Sequence, residues 1–154
     1  GAVTARIEAC HDYSPLEAEA IEDPLYESNQ RIIGRNDGRA LGFVMRDGEG
    51  RIVGAVMGYS WAGTSEIRQM WVDEAHRGQG HARNLLSAFV RESTARGVQK
   101  IWVTTHDFQA PALYEKAGFR RMAELRDWPE GHSKIVLCLT LSAGSPTCQL
   151  PGMP

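Results

Sequence analysis

The sequence predicts an α/β domain: a central mixed sheet of six or seven strands flanked by about four helices. Three observations carry this. Leu41, Phe43 and Met45 alternate with smaller or polar neighbours, and the run Ile52 to Trp61 comes after the turn cluster Asp47-Gly48-Glu49-Gly50, which reads as a β-hairpin. A turn containing Gly78 and Gly80 then opens a run in which Ala82, Leu85, Leu86, Phe89, Val90 and Ser93 recur at helical spacing. Finally, Lys100 to Thr105, with Ile101 and Val103, is a short strand after that helix. A strand, a crossover helix and a next strand of one sheet pair in parallel through a right-handed connection.

The elements follow in order. Ser14-Pro15-Leu16-Glu17 combines an N-cap serine, a proline at the first helical position and a capping-box glutamate, so a short helix runs to about Ile21. Asp23-Pro24 restarts the pattern, and Ile32-Ile33-Gly34 closes it on a left-handed glycine cap. The strand from Ala40 and the strand Ile52 to Trp61 form the hairpin. Ala62-Gly63-Thr64 then turns into a third antiparallel strand, Glu66 to Val72. The glycine turn and its amphipathic helix end at Gly97. After the strand at 100–105, Gln109 to Ala117 forms a helix closed by Gly118. Phe119 to Leu125 and Lys134 to Leu141 are two more strands, joined by Asp127-Trp128-Pro129-Glu130-Gly131-His132. Residues 3–141 make a single domain of common size, and the Ser-, Gly- and Pro-rich stretch 142–154 is a mobile tail.

With 154 residues and a formal charge of −2, the chain shows no electrostatic footprint for nucleic acid or anionic membrane. No apolar run approaches the roughly 20 residues of a spanning helix, and no signal-peptide pattern opens the chain. Cys10, Cys138 and Cys148 form no CxxC pair and no zinc spacing with the histidines, so no metal is expected. They read as free thiols of a cytoplasmic protein.

The turn Arg77-Gly78-Gln79-Gly80-His81-Ala82 carries the chemistry. Glycines at a strand-to-helix junction let the backbone come close to a ligand, and the first-turn N–H groups of the helix point at it. The helix dipole adds to this, so the site favours an anion, with Arg77 and Arg83 flanking it. The alternative is a tight turn that needs glycine for conformation alone. The turn is neither a Walker A loop, since no GK[ST] follows, nor a dinucleotide fingerprint.

Arg77-x-x-Gly80-x-Ala82 resembles the Gln/Arg-x-x-Gly-x-Gly/Ala signature of the GNAT superfamily of acyl-CoA N-acyltransferases. Ala110-Pro111-Ala112-Leu113-Tyr114-Glu115-Lys116-Ala117-Gly118-Phe119 is similar to that family's Ala-x-x-Leu-Tyr-Glu-Lys-x-Gly-Phe block. The order of elements agrees as well, closely over roughly residues 40–141 and loosely over 3–39. The resemblance implies acetyl-CoA as acyl donor. Its pantetheine arm would lie along the main chain of Met70, Trp71 and Val72, and its pyrophosphate would meet the N–H groups from Gly78 to Arg83, including those of Gln79, Gly80, His81 and Ala82. It also implies that the two central parallel strands splay apart around the thioester, and that Tyr114 points its hydroxyl at the sulfur as general acid. A core tyrosine packed on the sheet is the plainer alternative. Where the family often carries an asparagine that touches the cofactor arm, this chain has Asp107, which accepts but does not donate, so Gln109 is a substitute there.

Transfer to an amine requires loss of a proton from an ammonium of pKa about 10.4, which at pH 7 costs on the order of 4–5 kcal/mol and calls for a base. The leaving thiolate, with a pKa of about 8.5, needs less help. Glu66 is the candidate base: it stands six residues before Val72, where several family members carry a catalytic glutamate, and alternation places Glu66, Arg68, Met70 and Val72 on one face. An ion pair with Arg68 is the alternative. His106 and His132 are further candidate bases. Tyr26, Tyr59, Trp61, Trp71 and Trp128, with His132, supply aromatic surface for an acceptor, and Asp127 and Glu130 supply negative charge; the alternatives are aromatics that fill the core and loop acids that face water. The acceptor is expected to be the primary amine of a small molecule. Protein or peptide N-acetylation and a non-catalytic acyl-CoA sensor are the alternatives, and dimers are common in the superfamily.

Overall fold

The computed structural model describes residues 4–141, and the expected tail lies outside them. The described residues group into two compact units, divided between Asn36 and Asp37.

The first unit holds one helix, α1 (Pro15–Ile33). Its start is as expected: Glu17 N–H donates to Ser14 Oγ at 3.3 Å, and Ser14 N–H donates to Glu17 Oε2 at 2.6 Å. Its end is as expected too, with Gly34 at φ +74°. The expected break at Asp23-Pro24 is absent, and α1 runs through Pro24. Proline withholds one N–H from the helix, and the carbonyl four residues earlier loses its partner. That residue, Ala20, is exposed, so the freed carbonyl is open to water and the helix continues.

The second unit is a six-stranded sheet, β1 (Arg39–Arg46), β2 (Ile52–Trp61), β3 (Thr64–Val72), β4 (Lys100–His106), β5 (Arg120–Arg126) and β6 (Ser133–Thr140), in spatial order β1-β2-β3-β4-β6-β5. Its helices are α2 (His81–Ala95) and α3 (Pro111–Lys116), with a single 3-10 turn at Glu74–His76. The described residues thus hold three α-helices against the four expected, because the N-terminal pair is one. β3 and β4 are parallel, and all other neighbours are antiparallel.

α2 buries Leu85, Leu86, Phe89 and Ser93 against β1, β2 and β3. The buried cluster continues through Val56, Ile67, Ile101, Val103, Ile135 and Leu137. Two polar ties fix the helix on the sheet. Ser93 and Ser65 share a buried hydroxyl bond of 2.9 Å. Arg96, just past the helix, donates to the carbonyl of Ala40 at 3.0 Å and to Ser60 Oγ at 2.9 Å. Gly97 follows at φ +76°. Of the three cysteines, Cys10 is a free, exposed thiol, but Cys138 is disulfide-bonded, which corrects the expectation of a free thiol there. Cys148 lies outside the described residues.

Two irregularities of β3 shape the functional face of the sheet. Its register with β4 covers only Thr64–Ile67 against Lys100–Val103. Beyond that point Gln69–Val72 stay with β2 and Thr104–His106 stay with β6, so the two parallel strands part. In addition, the β2–β3 register slips: Met57 faces Gln69, yet Gly58 faces Ile67. Arg68 is the extra residue, a β-bulge. Each inserted residue reverses the alternation beyond it. Ser65, Ile67, Met70 and Val72 therefore stand opposite Ser60, Gly58, Val56 and Gly54, on the face that α2 covers. Glu66, Gln69 and Trp71 lie on the other face. The expectation that Glu66 shares a face with Met70 and Val72 is corrected by this bulge. Gly58 makes the bulge sterically feasible, since a Cβ there would run into the Glu66 carbonyl and approach Phe89 to 3.0 Å.

Candidate active site

The junction from β3 to α2 is built by local bonds. Asp73 caps the 3-10 turn by accepting from Ala75 N–H at 3.3 Å, and its other contact is His76 Nδ1 at 3.2 Å. Arg77 Nε donates to the carbonyl of Val72 at 3.0 Å, which ties its guanidinium back to the strand end. Gly78 and Gly80 take φ of +77° and +80°, conformations in which an L side chain is strained. Gly80 is the N-cap of α2 and has no side chain with which to cap it, and the first turn holds no acidic residue. The first N–H groups of a helix have no partner within it. Here no side-chain cap bond meets them, and Arg83 reaches back, its Nη2 lying 3.4 Å from where a Gly80 Cβ would stand. The result is a helix N-terminus without a side-chain cap and with guanidinium groups nearby, an arrangement that favours an anion.

This turn opens into a cleft of about 1080 Å³ where β3 and β4 part. One wall is β3 from Ile67 to Val72. The floor is the turn and the start of α2, with Gly78, Gly80, His81, Ala82 and Arg83. The other wall is Val103, Thr104 and Thr105 of β4, then Phe108 to Ala110 and the α3 residues Leu113, Tyr114 and Lys116. The expected cofactor residues Met70, Trp71, Val72, Arg77 and Gln109 are all in this lining, while Gln79 and Asp107 are not. Gln79 Oε1 instead contacts His81 Nε2 at 3.2 Å.

Tyr114 sits at the inner end. Its residue is 4% exposed, and its ring meets Phe119 edge-on at 5.5 Å. Among the described residues no buried side-chain nitrogen or oxygen lacks a hydrogen-bond partner, and no hydrogen bond engages the Tyr114 hydroxyl. That oxygen is therefore reached from the cleft. Burial pushes its pKa up to about 12, because a phenolate would lose hydration there. The short helix α3 aims it: the Tyr114 carbonyl accepts from both Ala117 and Phe119 N–H groups, at 3.1 and 3.0 Å, and Gly118 completes the turn at φ +98°.

Glu66 lies one residue before the strands part, outside the cleft lining. Its carboxylate is 3.5 Å from the Arg68 guanidinium, the ion pair that the sequence allowed, and Arg68 in turn covers the Tyr59 ring at 5.2 Å.

The sequence profile described as the Acetyltransferase (GNAT) family matches residues 6–119. The chain belongs to the GNAT family of acetyltransferases. It is 32% identical over 123 residues to the acetyltransferase Atu2258 of Agrobacterium fabrum, covering 79% of this chain and 90% of the relative. It is 32% identical over 89 residues to the blasticidin-S acetyltransferase of Streptomyces morookaense, covering 57% of this chain and 65% of that one. A crystal structure from Agrobacterium tumefaciens, ascribed to the acetyltransferases, superposes with a TM-score of 0.81 at 27% identity, over 89% of this chain and 100% of the other.

Within this GNAT fold, Asp107 turns its carboxylate to the β5–β6 loop. It contacts His132 Nδ1 and accepts from Ser133 N–H, both at 3.1 Å. Gln109 Oε1 accepts from Thr105 Oγ1 at 3.0 Å and from His106 N–H at 2.8 Å. Trp128 is exposed in the loop, where Asp127 Oδ1 accepts from Gly131 N–H at 3.2 Å. Trp61, at the end of β2, and Trp128 and His132 are outside the cleft lining, and Tyr26 is half-buried on α1 of the first unit. Among the cleft residues that sequence reasoning did not assign to the site is Phe108, which no periodicity marks because it stands in the turn after β4. Lys116, quoted only as part of a motif, adds a cation beside Tyr114.

Among the described residues, no cluster of His, Cys, Asp or Glu has a metal-binding arrangement, and no helix is long and apolar enough to cross a membrane.

Proposed function

We propose that the protein transfers the acetyl group of acetyl-CoA to the primary amine of a small molecule by direct attack. The observation that supports this most is the continuity of the cleft. It runs from a helix N-terminus without a side-chain cap, flanked by Arg77 and Arg83, along the stretch of β3 that has parted from β4, to Tyr114. A pyrophosphate fits the first, an extended amide-bearing arm fits the second, and a leaving sulfur fits the third. In this reading the N–H groups of Gly78 to Arg83, including Gln79, Gly80, His81 and Ala82, hold the pyrophosphate. The main chain of Met70, Trp71 and Val72 pairs with the arm. Gln109 takes over the arm contact that Asp107, turned to His132, does not supply.

The amine nitrogen attacks the thioester carbonyl and forms the C–N bond as the C–S bond breaks. Glu66 accepts the ammonium proton, directly or through water. The Tyr114 hydroxyl hydrogen-bonds the departing sulfur and protonates it, then regains a proton from solvent. Burial that lifts the phenol would lift a thiol released beside it in the same direction. The acceptor approaches on the face of the sheet that carries Glu66, Tyr59 and His132, with Trp61 and Trp128 contributing aromatic surface. In this reading the protein works in the cytoplasm, where acetyl-CoA is supplied. The blasticidin-S relative speaks for a small-molecule acceptor.

The test is release of free CoA thiol from acetyl-CoA across a panel of aminoglycosides, polyamines, amino acids and peptides. Release that depends on a small amine supports the reading. Release with peptides alone, or none, overturns it.

A further inference from the structure

Besides Trp71, the cleft presents a large apolar ring, Phe108, that the fold holds in place without covering. Phe108 follows the end of β4, lines the cleft, and is 57% exposed. His106 lies parallel to it, with centroids 4.9 Å apart and planes 8° from parallel, and His132 meets it edge-on, also at 4.9 Å. Neither imidazole is loose. His106 Nδ1 is 3.2 Å from Gln109 Oε1, and His132 Nδ1 is 3.1 Å from Asp107 Oδ1. One face of the phenyl ring is thus taken by His106 and a perpendicular contact is made by His132, while the ring stays more than half exposed and borders the cleft. A side chain that only filled space would be turned inward, since burying such a ring is favourable. This one is fixed outward by two hydrogen-bonded neighbours from two different segments.

The platform stands on the same side of the sheet as Glu66. In the β3–β4 register Glu66 is opposite Trp102. Trp102, Thr104 and His106 then alternate on that face, and His106 carries Phe108. A carboxylate beside the point where the strands part and a stacking ring beyond it suit a molecule with a cationic amine at one end and a flat ring at the other. Offset stacking favours such a ring over a saturated one of equal bulk.

We propose that the acceptor is a primary amine bearing an aromatic ring, and that Phe108 selects it. This rests on the amine-acetylation reading above. Asp107 is a positioning residue, acting through His132; in this chain a carboxylate stands where the family often has asparagine, and its charge favours the Nδ1–H form of that imidazole.

The test uses a matched pair, 2-phenylethylamine and 2-cyclohexylethylamine, with acetyl-CoA and thiol release as readout. Wild type is expected to prefer the aromatic amine by about three- to tenfold in kcat/KM, the range of one aromatic pair. Phe108→Leu should bring the ratio near one, and Phe108→Tyr should keep the preference. The proposal is overturned if wild type shows no aromatic preference, if Phe108→Leu leaves the ratio intact, or if that variant lowers both amines alike. If wild type releases no thiol with any amine, the acetylation reading itself fails and takes this one with it. That outcome is visible before any variant is made.

Discussion

Tyr114→Phe separates what the buried ring does from what its hydroxyl does. The ring is 4% exposed, packs edge-on against Phe119, and belongs to the main buried cluster. Phenylalanine keeps all of that, so stability near neutral pH should change by less than about 1 kcal/mol, as for volume-conserving swaps. The hydroxyl behaves differently with pH. Its pKa is pushed up to about 12 by burial, against about 10 in the unfolded chain. A folded pKa above the unfolded one means that the folded state retains the proton longer. This contribution is fully present below about pH 10 and is lost between about pH 10 and 12. At about 1.4 kcal/mol per unit, the loss across that window is on the order of 3 kcal/mol. Urea unfolding of wild type and Tyr114→Phe at matched pH values from about 8 to 11.5 measures it. The two curves should coincide at the lower pH, and wild type should lose about 2 kcal/mol more than the variant at the alkaline end. Equal alkaline loss in both proteins would refute the desolvated phenol, and with it the claim that Tyr114 holds its proton at every working pH. In turnover, the same variant should fall about a hundredfold at saturating substrates, the low end for general acids, with acetyl-CoA affinity nearly unchanged.

Three other perturbations probe the bulge, the glycine turn and the base separately. Gly58→Ala places a methyl group against the Glu66 carbonyl and Phe89; denaturant unfolding should show a loss of about 2–3 kcal/mol, the upper range for overpacking, and an unchanged midpoint would contradict the bulge. Gly80→Ala strains a residue at φ +80° by about 1–2 kcal/mol; acetyl-CoA titration should weaken about five- to thirtyfold while turnover at saturating donor holds. Glu66→Gln should remove the acidic limb of the kcat/KM pH profile; a limb that persists would shift the base role to His132 or His106.

Much of the fold was legible because its signals are local. The bounds of β2, the capping box at Ser14 and the left-handed Gly34 follow from residues adjacent in sequence. The β3–turn–α2–β4 unit was equally clear, since a helical stripe after a glycine turn has one economical reading. What was hidden depends on non-local geometry. The bulge at Arg68 leaves no mark in β3 itself; its trace is Gly58 on the neighbouring strand, where a side chain would collide. Missing it put Glu66 on the wrong face. Pro24 was read as a break because proline removes a hydrogen bond, yet an exposed helix tolerates that loss. In the site, Tyr114 and the glycine turn were readable from motifs, whereas Phe108 was not. Its importance comes from His106 and His132, brought together by β4 and the far end of the β5–β6 loop. Asp107 shows the same limit: its identity signalled a departure from the family, and only the fold shows that its carboxylate is turned to His132 and Ser133.

The central claim, that the cleft holds acetyl-CoA by its pyrophosphate and delivers the acetyl group to an amine, is tested most directly by following both products together. With acetyl-CoA and an arylalkylamine, free CoA thiol and N-acetylated amine should appear in equal amounts, and Gly80→Ala should raise the acetyl-CoA concentration needed for half-maximal rate. Thiol released without acetylated amine, or a rate indifferent to the amine, would contradict it.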